Sequence, residues 1–186
     1  MGKELLETFE KQFNLETRRP DLTVNIGVTV KNGHSCQKGD ILGIITASGL
    51  ARRRTRTTVD TTAFADDSPT GKVADPTVFK DGDVLKNAAG ATIGTIAVGG
   101  INLVTRVITL TDDAEVAVAN GAGVYGSDGS QVASVIADEG SDGVGDTPIK
   151  VITQSPAIDI SKLRGLDDTA VTELGGKKLP GNVMKF

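Results

Sequence analysis

The chain has 186 residues, enough for one or two domains and for a real buried core. Apolar residues make up 38% but aromatics only 3%, with no Trp and one Tyr, so a core must rest on Val, Ile, Leu and Ala, and a sugar-binding face of stacked aromatics is disfavoured. The net charge of −4 gives no general reason to expect nucleic acid or an anionic membrane as partner, no apolar run approaches the roughly 20 residues of a membrane span, and the single Cys36 excludes an internal disulfide framework.

Taken in order, Met1-Gly2-Lys3-Glu4-Leu5-Leu6-Glu7 carries acidic residues inside its apolar stretch, which is not a signal-peptide pattern and predicts a chain made and kept in a cytoplasm. Leu5, Leu6, Phe9 and Phe13 share one face at helical spacing, while Glu4, Glu7, Glu10 and Lys11 fall mostly elsewhere. Pro20 stops this helix, which is short for stability in water and needs a surface to lie on, in this chain or on a partner. Leu22, Val24, Ile26, Val28 and Val30 then alternate with Thr23, Asn25, Gly27 and Thr29, the pattern of a strand with one buried face.

Lys38-Gly39-Asp40 opens an apolar strand, Ile41 to Thr46, and Ala47-Ser48-Gly49 turns the chain. The basic run Arg52-Arg53-Arg54-Thr55-Arg56 reads as a solvated strand or as a patch facing an acidic protein; a nucleic-acid surface would want a wider basic field and stacking aromatics. Asp81-Gly82-Asp83-Val84-Leu85, a turn at Asn87–Gly90 and Ile93-Gly94-Thr95-Ile96 predict a β-hairpin. The pattern recurs without a gap from Asn120-Gly121-Ala122-Gly123-Val124 through Ser127–Ser130 to Val135, predicting a second hairpin. Ile101 to Leu110 reads as one strand, Asp138 to Asp146 as an acidic loop, and Ile149 to Ile152 as a strand. Leu166 to Leu174 reads as a short helix, with Asp167 and Asp168 at its positive end and Gly175-Gly176 at its stop. Asn182 to Phe186 reads as a last strand.

Few motifs offer chemistry. Gly121-Ala122-Gly123-Val124-Tyr125-Gly126 matches the dinucleotide pattern, but turn residues follow it where a helix is needed. His34 and Cys36 stand two apart, with no orienting partner to make a nucleophile pair, and cannot alone build a zinc site. Asp138, Glu139, Asp142 and Asp146 lack the EF-hand spacing, and a solvated loop is the preferred reading. No catalytic residue, metal site or cofactor is assigned, and the expectation is that the chain is not an enzyme.

The run Ile101–Leu110, with Val116–Gly121 and Tyr125–Ser130, resembles a segment common in structural proteins of tailed bacteriophages. Asp40-Ile41-Leu42-Gly43-Ile44-Ile45-Thr46-Ala47-Ser48-Gly49-Leu50 resembles the opening strand and turn of lambda-like head decoration proteins. The tail from Pro156 through Leu163–Asp168 and Leu174–Gly176 to Val183–Phe186 is similar to the end of that family. The resemblance spans about half the chain in degenerate motifs, and the N-terminal helix and long middle segment depart from the smallest members. It implies a capsid decoration, or cement, protein: a homotrimer on the outer surface of an expanded icosahedral head, made in the host cytoplasm, with the major capsid protein as partner and neither nucleic acid nor membrane bound.

The resulting expectation is a mainly β fold in one compact unit, a small β-barrel or sandwich of short hairpins with an N-terminal helical arm and a short C-terminal helix. Its parts are an arm over residues 1–30, a body over 31–155 with hairpins at 81–97 and 120–136, and a C-terminal helix and closing strand over 156–186. The capsid-binding candidates are Leu22, Val24, Ile26, Val28, Arg52, Arg53 and Arg54. The strand Leu22–Val30 would add to a sheet edge of the capsid protein, and removing residues 1–30 should leave the body folded. The alternatives are a cell-surface or carbohydrate-binding β-module of a phage particle and a hydrolase built on Cys36 and His34.

Overall fold

A computed structural model describes residues 23–179 and 182–186. The expected helix over the first 13 residues, and Leu22, lie outside the described residues. The chain divides into two compact units, one formed by the chain up to Arg53 and again from Val132, the other by Arg54–Gln131. The first part of the chain gives β1 (Val24–Val30), β2 (Ile41–Ile44) and β3 (Ala51–Arg53). The second unit holds β4 (Arg56–Thr58), β5 (Thr70–Lys72), β6 (Val84–Asn87), β7 (Thr92–Asn102), β8 (Val107–Leu110) and β9 (Gly123–Tyr125). The chain then returns to the first unit with β10 (Val135–Ala137), β11 (Thr147–Gln154), β12 (Ile158–Asp159), helix α1 (Asp168–Glu173), β13 (Lys177–Leu179) and β14 (Val183–Lys185).

In the first unit, β1, β11, β10, β2 and β3 close into a five-stranded barrel in that order. The wall is apolar on both sides because neighbouring residues on a strand point to opposite faces. Leu42, Val135, Ala137 and Val151 join Val30, Cys36, Ala51 and Ile149 in one cluster. Ile41, Ile136 and Ile152, each next to one of those, join Ile158, Leu163, Ala170, Val171 and Met184 in another. This double burial explains why Ile41-Leu42 and Val151-Ile152 are unbroken apolar pairs. The second layer is supplied by α1 and the sheet β12-β14-β13. Helix α1 starts where predicted: Asp167 Oδ1 accepts the Ala170 amide at 2.6 Å. Gly175, at φ 66, ends it in the left-handed conformation that favours glycine.

The second unit is a six-stranded sheet, β4-β9-β6-β7-β8-β5, over a core that includes Phe64, Phe79, Leu85, Ile93, Ile96, Ile108 and Val124. The hairpin predicted over 81–97 is present as β6 against β7. The one predicted over 120–136 is not. Strand β9 pairs with β4 and β6, whereas β10 pairs with β2 and β11 in the other unit. The intended turn is a connector instead: Asp128 Oδ1 accepts both the Ser130 amide, at 3.0 Å, and the Ser130 hydroxyl. Ser130 is fully buried, so the chain is anchored there rather than reversed.

Ile101–Leu110 is also not one strand. Asn102 Oδ1 accepts the amides of Val104 and Thr105, both at 3.0 Å, and Arg106 takes φ 61. The side chain of Asn102 thus substitutes for a ladder partner and folds the run into the β7–β8 hairpin. Removal of residues 1–30 would breach the barrel, since β1 is one of its wall strands.

Candidate functional site: the open edge of the first strand

Along its whole length β1 pairs with β11 on one side, from Val24 opposite Gln154 to Val30 opposite Thr147. On its other side, among the described residues, only Val30 finds a strand partner, Ala51 of β3. Among the described residues, the edge from Val24 to Thr29 therefore has no strand partner. Burial along the strand follows the same gradient. Val30 is buried and Val28 half-buried against the barrel core, but Val24 and Ile26 are 45% and 46% exposed. The prediction that one whole face of this strand is buried is corrected: the strand outruns the core, and its first half keeps backbone pairing without interior packing.

Thr23 to Val30 contains no charged residue and no proline. Open strand edges pair promiscuously, and proteins normally blunt them with charge, proline or a covering element. An edge without charge or proline fits one that is meant to be covered. A shallow groove over the β1–β11 pair is lined by Asn25, Ile26, Gly27, Pro148, Ile149 and Lys150.

The basic run is drawn inward. Arg52 and Arg54 are buried at 2% and 4% exposure, so neither offers its charge to solvent. Arg53 Nε lies 3.5 Å from Asp40 Oδ2, Arg54 Nε donates to the Gln131 carbonyl at 3.0 Å, and the Arg56 guanidinium sits 5.0 Å over the Tyr125 ring. The solvated-face reading is corrected for Arg52 and Arg54. The fold also brings in Arg164, whose Nε is 3.3 Å from Asp40 Oδ1. No spacing signal links Asp40 to Arg164; the parallel bridge between them joins distant parts of the chain.

The remaining motifs resolve structurally. Cys36 is buried, exchanges two backbone hydrogen bonds with Ser141, and has its thiol pKa pushed up by burial, the reverse of what activates a nucleophile. Gly121–Gly126 contains β9 itself, with no helix N-terminus to meet a pyrophosphate, and the Tyr125 ring closes over the place where a Gly123 side chain would sit. In the acidic loop, Asp138 pairs with Lys38 at 3.0 Å, while Glu139, Asp142 and Asp146 accept the amides of Lys150, Val144 and Asn32. Among the described residues no three of His, Cys, Asp and Glu are grouped to hold a metal, and no helix is long and apolar enough to cross a membrane.

No known protein family, curated protein or solved structure matches this chain.

Proposed function

We propose that the protein is a structural capsid decoration, or cement, protein. It binds the major capsid protein on the outer surface of an expanded icosahedral phage head as a homotrimer, and it stabilises the shell against internal DNA pressure. The observation that carries this reading is the uncharged edge of β1, unpaired among the described residues from Val24 to Thr29, whose main-chain groups and apolar side chains suit a strand of another protein. The segmental resemblance to phage decoration proteins supports it, as does a β framework whose buried polar groups hold the fold. Many copies on one lattice give avidity, so no single strong site is needed. Val24, Ile26 and Val28 are the contact residues in this reading; Arg52 and Arg54 are placed in the fold instead.

The test is the mass of the purified protein by light scattering, followed by sedimentation with expanded empty shells. A trimer that co-sediments and raises the melting temperature of the shells is the expected result. The Val24→Lys/Ile26→Lys double variant should stay folded and stay in the supernatant. A protein that ignores shells defeats the decoration reading and reopens the carbohydrate-binding module. A double variant that binds as well as the parent removes the edge from the mechanism.

A further inference from the structure

Few large apolar side chains stay exposed among the described residues, and three of them belong to one hairpin. Val98 on β7 is 95% exposed, and Leu103 and Val104, in the turn between β7 and β8, are 60% and 93% exposed. This turn is braced at both ends. Asn102 Oδ1 holds the Val104 and Thr105 amides, the Arg106 guanidinium reaches Asp60 Oδ2 at 2.8 Å and the Ala74 carbonyl at 3.4 Å, and the Gly99 amide donates to Asp81 Oδ2 at 2.7 Å. The apolar tip is therefore presented in a fixed shape, so little ordering entropy is lost when another surface meets it.

Charge decides what fits the tip. The unit that carries it is acidic: Arg54–Gln131 has ten Asp and Glu against six Lys and Arg, so two copies brought together over most of this unit repel. From Asn87 to Thr105, however, no residue is charged. A surface that meets a copy of itself needs this, because equivalent residues converge near a rotation axis and each charge there would face its own kind. A lipid surface fits less well, since the tip has no aromatic ring and the adjoining Arg106 is paired with Asp60. We propose that the β7–β8 tip is a self-contact, in which Val98, Leu103 and Val104 of one copy pack against the same residues of its neighbours about the axis of the oligomer. The inference names the seam of the homotrimer proposed above and rests on that part of the reading. It uses no residue of the β1 edge.

Light scattering on the full chain alone tests this, at concentrations up to about 1 mM, where contacts of micromolar Kd are fully formed. The parent should be oligomeric. Val104→Asp and Val104→Lys should each be monomeric with unchanged circular dichroism, because this side chain faces solvent and not the core. An equimolar mixture of the two should recover the parental mass, since opposite charges then meet at the axis. The milder Leu103→Ser should weaken association about tenfold or more. Three results overturn the proposal: a monomeric parent, an oligomer that both charged variants keep, or charged variants that disperse and do not recover on mixing, which would seat the tip on a different surface of the neighbour. Co-sedimentation with shells is read separately. A parent that binds shells as a monomer loses the seam and keeps decoration, whereas an oligomer that the tip holds and that ignores shells loses decoration and keeps the seam.

Discussion

Arg164 reaches back to Asp40, its Nε 3.3 Å from Oδ1, and ties the segment before α1 to the entry of β2. Asp40 is the hub of this contact. Its side chain is 3% exposed, its other oxygen faces Arg53 Nε at 3.5 Å, and that oxygen also accepts the Gln37 amide at 2.7 Å. Arg164, at 47% side-chain exposure, can be solvated when its partner is lost, and Arg53 remains to neutralise Asp40 when Arg164 is lost. The two truncations are thus unequal. Asp40→Ala should cost about 1–3 kcal/mol, because the Gln37 amide loses its acceptor and two guanidinium groups lose their shared carboxylate, and Arg164→Ala no more than about 1 kcal/mol. Urea unfolding measures both, and equal losses would show that Asp40 is not the hub.

Glycine has opposite meanings at two positions. At Gly71 a Cβ would stand 2.6 Å from three ring atoms of Phe64, which is fully buried and has nowhere to move. Gly71→Ala should therefore destabilise the second unit by about 1–3 kcal/mol through overpacking. At Gly27 a Cβ would meet nothing within 4 Å. Gly27→Ala should stabilise the chain by about 0.5 kcal/mol, because the unfolded chain loses freedom and the folded one loses nothing. Thermal unfolding of the two variants should shift in opposite directions.

Burial raises the pKa of the Cys36 thiol above its ordinary value, with the Ser141 amide opposing, Asp40 adding and Arg53 opposing to lesser degrees. Burial thus favours the neutral form in the folded state. The unfolded chain releases this proton first as pH rises, so the contribution of Cys36 to stability is complete below the ordinary thiol pKa, about 8.5, and is lost as pH rises through the higher folded value. The parent should lose stability above that pH more steeply than Cys36→Ala. Iodoacetamide should also label native Cys36 far more slowly than the urea-unfolded chain. Rapid labelling of the native protein would contradict the buried, neutral thiol.

Local signals were legible where one residue decides the outcome. Asp167 and Gly175 announced the ends of α1, and the Asn87–Gly90 turn announced the β6–β7 hairpin, because caps and tight turns are fixed by side chains within a few positions. Partner choice was not legible. The segments on either side of Ser127–Ser130 both read as strands; β9 forms within the first, but the second is irregular until β10 begins at Val135, and the two strands join different sheets, which only distant sequence specifies. Asn102 has the same lesson in reverse, since two amides captured by one side chain outweighed a run of strand-forming Val, Ile and Thr. For the candidate site, alternation located β1 correctly but overstated its burial, because periodicity names the face and not how far the core extends beneath it. The arginines looked exposed in sequence for want of visible partners; those partners, Asp40 and the Gln131 carbonyl, became neighbours only in the fold.

The entry and exit of the second unit are fastened to each other from within it. Thr55 Oγ1 and Ser130 Oγ lie 2.8 Å apart in a buried pair, the Thr55 amide donates to the Ser130 carbonyl at 3.2 Å, and Arg54 Nε donates to the Gln131 carbonyl at 3.0 Å. The unit also has its own apolar core around Phe64, Phe79 and Leu85. Closed ends and a private core are what an independently folding insertion requires. A fragment spanning residues 54–131 should therefore unfold in one cooperative thermal transition, without the barrel. Thr55→Val in that fragment should lower its stability by about 1 kcal/mol, since the buried Ser130 hydroxyl loses a partner while still donating to Asp128. A fragment that melts gradually, with exchange-unprotected amides throughout, would mean that the clasp at Thr55 and Ser130 does not suffice to close the unit.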